Sequence, residues 1–422
     1  MNSSSPVRHL RWWLCGLLFV ATAMSFLDRQ VLSVLAPVIT EQLEMTNTEY
    51  SYVTTAFLVS YSVMFLLGGR MMDVLGTRLG MALSVGFWSV ASAAHAVVQN
   101  AFHLGACRFL LGAGEGGCFP GAAKGVAEWF PQRERAMAMG IAIGGSALGA
   151  VVAPPLTVWL AALAGWRGVF VATGLIGAGW VGFWWLLSSQ AETLDSESQP
   201  AGVGEMETGQ VPLSDLLGRV ETWGLALMRF IVDPVFYFYM FWIPKYLSQE
   251  RGVTLEQIGQ VTWIPFLALG ISNIAGGWVS DWMIRRGLPA LAARRWIMAG
   301  AAALTLSSSL AGRVQTLGMA ITMMSLLMLA HGFWITNYVT VISERFPKGA
   351  VGTVMGITGA VGAVGGMLAN TAIGWCVDRF SYGPVWMASG LMYPLAFMVL
   401  LAAIGSGGSG AGDEGPTRGE ES

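Results

Sequence analysis

Charge is what this sequence has least of: 23 Lys and Arg with 25 Asp and Glu make up 11% of 422 residues, where a soluble domain carries about 25%. A water-facing globular surface is thereby excluded. Cysteine is equally sparse. Cys15, Cys107, Cys118 and Cys376 fall within hydrophobic stretches and have no paired spacing, so core packing is expected of them, not a disulfide framework or metal site. No cofactor and no metal are expected. No block of basic residues is long enough to hold nucleic acid, and the net charge is −2. No nucleophile and base stand together in the hydrophobic stretches, and no strand pattern precedes a glycine-rich run, so neither an enzyme site nor a nucleotide-binding loop is implied.

What is abundant is apolar: 54% of residues are hydrophobic, with 55 Gly and 18 Trp and a mean hydropathy of +0.59. At about 20 residues per crossing, twelve spans are predicted, roughly 12–37, 50–70, 79–99, 101–122, 136–162, 166–188, 221–247, 257–283, 293–313, 315–342, 350–378 and 383–405. The fold class is therefore an all-α membrane protein. The first stretch begins at Arg11-Trp12-Trp13 but has no small-residue cleavage site, so it is read as a span and not a signal peptide. Lys and Arg gather in alternate loops, at Arg70 and Arg78, Arg133 and Arg135, Arg285 and Arg286, Arg294 and Arg295, and Arg345 and Lys348. The positive-inside rule then puts both termini in the cytoplasm, which requires an even number of spans.

The chain is written twice. Gly69-Arg70-Met71-Met72-Asp73, followed by Gly76 and Arg78, returns as Gly277-Trp278-Val279-Ser280-Asp281, followed by Arg285, Arg286 and Gly287. Phe130-Pro131 with Met139-Gly140 returns with the same spacing as Phe346-Pro347 with Met355-Gly356. Two six-span halves in the same orientation follow, 1–188 and 221–405, with the substrate site of such parallel repeats lying near the midplane between them. The acidic, Ser- and Gly-rich segment 189–220 reads as a cytoplasmic linker with a surface helix near 213–219. The tail 406–422 reads as disordered.

Six charged residues lie inside the spans away from their ends, all in spans one, four and seven: Asp28 and Arg29, Arg108 and Glu115, Arg229 and Asp233. A charge at mid-bilayer costs roughly 2.5–3.5 kcal/mol and marks a water-filled pathway. Guanidinium holds carboxylate bidentately, so Arg29, Arg108 and Arg229 are candidate carboxylate ligands, with Arg29 the predicted one. Arg229 and Asp233 are four apart, so an intrahelical pair competes with direct substrate contact. Arg108 and Glu115 are two turns apart, about 10.5 Å along the axis, and are expected to share a cavity wall without touching. Tyr237 on span seven could stack on a sugar ring. His331 and Asn337 on span ten would complete the pattern of every third span. Glycine-rich faces in spans five (Gly144, Gly145, Gly149) and eleven (Gly352 to Gly366) read as surfaces for close packing and sliding.

These motifs carry a family resemblance. The 69–73 turn resembles the signature loop of the major facilitator superfamily. Asp28-Arg29, Tyr61, Arg108 with Glu115, and Glu128-Trp129-Phe130-Pro131 with Glu134-Arg135 resemble the anion:cation symporters. Arg229 with Asp233-Pro234, Phe241-Trp242-Ile243-Pro244-Lys245-Tyr246-Leu247, and Ala330-His331 with Asn337 are similar to the hexuronate-transporter branch. The resemblance covers about residues 10–405. It implies that Asp28 and Glu115 carry proton coupling tuned by Arg108, that Tyr61 lines the cavity, and that the turns at Gly69, Asp73 and Arg78 and at Gly277, Asp281 and Arg285 are conformational latches. Each latch Asp is expected to cap a helix or pair with a nearby Arg. The implied activity is proton-driven import of a sugar-acid anion, hexuronate first and hexonate second, by a monomer in the inner membrane. Another organic-anion symporter, a facilitated carrier and a transporter-like sensor are the alternatives. The expected partners are the organic anion, the proton and the lipid bilayer.

Overall fold

The computed structural model describes residues 6–130, 132–195 and 211–405, and among these there is helix but no strand. The helices are α1 (Pro6–Gln42), α2 (Asn47–Ala94), α3 (Ala101–Glu115), α4 (Cys118–Trp129), α5 (Gln132–Asp195), α6 (Leu213–Leu217), α7 (Val220–Phe241), α8 (Ile243–Arg251), α9 (Leu255–Val261), α10 (Trp263–Arg285), α11 (Ala290–Thr305), α12 (Leu317–Arg345), α13 (Lys348–Arg379) and α14 (Gly383–Gly405).

Length decides how these cross a bilayer. The 48 residues of α2 would run about 72 Å at 1.5 Å per residue, more than twice the roughly 30 Å hydrocarbon thickness. It bends at Gly76, where φ is 76°, a backbone region open to glycine but strained for other residues. Likewise α5 bends at Gly165, with φ 68°. Each of these helices is therefore two crossings. The pairs α3 with α4, α7 with α8 and α9 with α10 are each one crossing with a break, and α11 continues into a short 3-10 turn, Leu306–Leu310. With α1, α12, α13 and α14, the total is twelve. Outward faces are apolar: Trp159, Phe183, Ile274 and Leu368 are exposed, as expected of side chains that meet lipid tails.

In the first half α1 packs on α5 and α2 on α3; in the second α10 packs on α12 and α7 on α13. The halves meet where α2 touches α13 and where α5 touches α9 and α10. Helix α5 continues to Asp195, past residue 188 where the sequence ends the first half, because no Gly or Pro interrupts it between 183 and 199. Helix α6 lies within the expected 213–219 segment. Linker residues 196–210 and the tail 406–422 lie outside the described residues.

Hydrogen bonds between the halves gather at one end, the end of the α1–α2 turn. The carboxylate of Asp378, on α13, accepts from the backbone N–H groups of Asn47 (3.0 Å) and Thr48 (2.7 Å) and from the Thr48 hydroxyl (2.5 Å). These are first-turn donors of α2, which have no partner within their own helix. One turn further on, Asn370 Nδ2 donates to Ser51 O (2.9 Å), Thr54 Oγ1 (2.7 Å) and Thr55 Oγ1 (2.9 Å). Tyr50 Oη donates to Phe241 O at 2.8 Å. This seam seals the bundle at the end opposite the one that holds α6 and the start of α1.

Candidate functional site

Between the halves lies a cavity of about 380 Å³ whose wall includes Arg29, Tyr61 and Ser62 from one half and Arg229, Asp233, Tyr237 and His331 from the other. The rest of the wall is apolar: Phe26, Phe65, Phe119, Phe236, Met240, Ile335 and Met355, with Gly356, Gly359, Ala360 and Ala363 on α13. Those four fall at i, i+3, i+4 and i+7, which is one helix face.

Arg29 is held on every side. Its Nε donates to Glu115 Oε2 at 2.8 Å, and Nη2 donates to Ser25 Oγ at 3.2 Å. Ser25 Oγ donates in turn to the same Glu115 oxygen, at 2.8 Å. The guanidinium carbon stands 4.2 Å from the Tyr61 ring centroid, 4.9 Å from Phe26 and 5.3 Å from Phe57. Such packing presets the charged plane and lowers the entropy lost on gripping an anion. Glu115 is fully buried, and its Oε1 has no hydrogen-bond partner.

Consecutive helical residues point about 100° apart, and this separates the neighbours Asp28 and Arg29. Arg29 reaches the cavity. Asp28 turns into the first half, where Oδ1 accepts from Ser92 Oγ at 3.3 Å and Ser92 bonds to Thr173 Oγ1 at 2.8 Å. Arg108 Nη1 donates to the Asp28 backbone oxygen at 3.2 Å, and its Nε and Nη2 lack partners. The expected common cavity wall for Arg108 and Glu115 is corrected: neither residue, nor Asp28, is among those that line the cavity. Arg29 and Ser25 of α1 cover Glu115, so these groups form a buried layer behind the wall.

On the opposite half, Arg229 and Asp233 both pair along α7 and line the cavity, with Nε and Nη2 at 2.9 and 2.8 Å from the same Oδ2. The intrahelical pair expected from the spacing is present, and both residues also face the cavity. Glycine on α13 makes room: a Cβ at Gly362 would fall on the Asp233 carboxylate, and one at Gly366 on the Tyr237 ring. His331 lines the cavity, stacks on Phe236 at 4.9 Å and shares a 2.5 Å hydrogen bond with Tyr393. Asn337 does not line it. Six residues beyond His331 it points about 120° away around the helix, and its amide donates to Phe333 O at 2.8 Å and Gly276 O at 3.4 Å.

The residues expected to act as latches lie at the helix ends that lead into or out of the two turns, with different partners. Asp73 pairs with Lys124 of α4 at 3.0 Å, while Arg78 packs over Trp185 at 4.3 Å. The repeat's Asp281 meets Arg294 at 3.4 Å; Arg294 also bonds Glu344 at 3.0 Å and Ser280. Arg285 is exposed at the end of α10, and Gly69 and Gly277 are half-buried. Sequence reasoning did not single out Lys124, Ser62, the Phe26, Phe65 and Phe119 wall, or Tyr393. A signal existed only for the wall, since Phe26 and Phe119 lie one turn from Arg29 and Glu115.

A helical bundle in two repeated halves, with opposed arginines around a cavity between them, is the architecture of a multi-pass membrane transporter. The family model of the Major Facilitator Superfamily matches residues 18–370, and the chain belongs to that family. It is 27% identical to the hexuronate transporter of Escherichia coli (strain K12), over 93% of this chain and 94% of that protein. It is 26% identical to the D-galactonate transporter of Escherichia coli O6:H1, over 96% and 98%. A solved bacterial homologue of the human lysosomal transporter Spinster, inward-facing and unoccupied, superposes with a TM-score of 0.75 at 19% identity, over 95% of this chain and 96% of that one.

Proposed function

We propose that this protein imports a sugar-acid monoanion, hexuronate first, in symport with protons. The observation that carries the reading is that Arg29 and Arg229 approach one cavity from opposite halves, each already paired with a carboxylate. A substrate carboxylate must displace Glu115 from Arg29. Releasing a buried carboxylate uncompensated is costly, so protonation of Glu115 and substrate binding favour each other, and binding becomes proton-linked. Asp28, bonded to Ser92 behind the wall, is the second proton carrier, with Arg108 as the charge that tunes both. The similarity to hexuronate and galactonate transporters supports the sugar-acid class.

The positive-inside rule puts both termini in the cytoplasm and so the sealed seam on the outside; the proposed working unit is a monomer in the inner membrane. Uptake of labelled glucuronate and galacturonate into proteoliposomes, with and without an inward proton gradient, tests the reading. Accumulation that a protonophore abolishes is expected. Failure of both sugars in folded protein would overturn the hexuronate assignment. The four phenylalanines of the wall favour a second reading, a less hydroxylated organic anion, and a panel of hexonates, aromatic acids and small carboxylates decides between them.

A further inference from the structure

The seam at the sealed end contains a charge that neither the cavity nor the latches use. Lys245, on α8, is 1% exposed, and its ammonium has no hydrogen-bond partner. It sits 4.8 Å from the Tyr50 ring and 5.9 Å from Trp242. An ammonium stripped of water and of hydrogen bonds is costly to bury, and cation–π contact offsets only part of that cost. The seam therefore closes over a group that would be better placed facing water or an anion.

The side chains around Lys245 are hydrogen-bond donors. Tyr50 Oη gives its proton to Phe241 O, Trp242 Nε1 donates to Asn370 Oδ1 at 2.7 Å, and Asn370 Nδ2 donates across to α2. The acceptors of Tyr50 and of Asn370 Nδ2 belong to the opposite half, so parting the halves frees those donors beside the ammonium. Asp378 is the acidic group whose charge acts on Lys245, without a hydrogen bond to it; in the closed seam its carboxylate is held by the first turn of α2 instead. A path leads inward from here: Phe241, next to Trp242, stacks on Tyr237 at 6.0 Å, and Tyr237 lines the central cavity.

We propose that Lys245, Tyr50, Trp242 and Asn370 form an outer capture site for the carboxylate and hydroxyls of the incoming anion, assembled when the seam opens. The inference rests on the alternating-access importer reading. The captured anion passes along Tyr237 to Arg29, and its departure lets the aromatic seam close again over the lysine.

The test separates the two faces of the membrane. Replacing Lys245→Met should raise the KM for glucuronate uptake into intact cells about tenfold, the size expected for one charged hydrogen bond. Lys245→Arg should restore it. The KM for glucuronate entering inside-out vesicles should stay the same in all three. Equal KM changes at both faces, or none at the outer face, would overturn the capture site and leave Lys245 a seam-packing residue. If the parent chain moves neither glucuronate, galacturonate nor galactonate, the sugar-acid reading fails separately, and a substrate-free arm decides the site. Lys245→Cys in intact cells should react with a membrane-impermeant maleimide above the background of the native cysteines; no reaction means that this position never opens outward.

Discussion

The two arginine–carboxylate pairs that flank the cavity are built differently. Arg29 and Glu115 join helices far apart in sequence, and their side chains are 7% and 0% exposed, whereas Arg229 and Asp233 sit one turn apart on α7, with the arginine 26% exposed. The first pair is assembled by tertiary packing and sealed behind Ser25, Phe26 and Tyr61. Local helix geometry assembles the second, and it stays open to the cavity. Moving a proton onto Glu115 changes a closed charge balance, while Asp233, itself buried at 7% side-chain exposure, is paired with an arginine that the cavity reaches. The proposed symport mechanism places coupling in the first half and substrate adjustment in the second.

Five substitutions at four positions test that division. Arg29→Ala should have the largest effect, with loss of measurable glucuronate binding and of some folded protein, because a buried partner left uncompensated costs about 3–5 kcal/mol. Arg29→Lys keeps the charge without the bidentate fork and should fold normally yet still fail in an equilibrium binding assay. Retained binding would reassign Arg29 to gating. Next, Glu115→Gln should keep glucuronate counterflow, make it independent of pH and abolish gradient-driven accumulation; normal accumulation would remove Glu115 from the proton path. Arg229→Ala should raise the KM about tenfold with coupling intact, and equal loss of coupling would erase the proposed difference between the halves. Smallest is Lys124→Ala, which frees Asp73. An exposed pair is worth about 0–1 kcal/mol, so turnover should change less than about threefold with no change in KM.

The glycine-rich run of span eleven was legible as a packing face, but its partners were not. Only the folded chain sets Gly362 against Asp233 and Gly366 against Tyr237. Likewise, a turn with an Asp and nearby Arg residues pointed to a local pair at Asp73, yet Lys124, from a helix whose place relative to the turn is a tertiary fact, takes that role. His331 and Asn337 looked alike as polar residues on one span. Their angular separation around α12 sends one to the cavity and the other to backbone carbonyls of α10 and α12.

By itself the sequence determined the membrane class, the twelve crossings, the duplicated halves and the six charges set deep in spans one, four and seven. Each of these follows from composition, period or repetition along the chain, and burying an ionised group in lipid is so costly that its presence alone is informative. Which charge pairs with which, that Asp28 turns away from the cavity that Arg29 lines, and that Lys245 is enclosed by the seam were decided only by the tertiary structure. Those outcomes depend on which helix faces meet and at what height, and short-range hydrogen bonds are satisfied or denied by that placement.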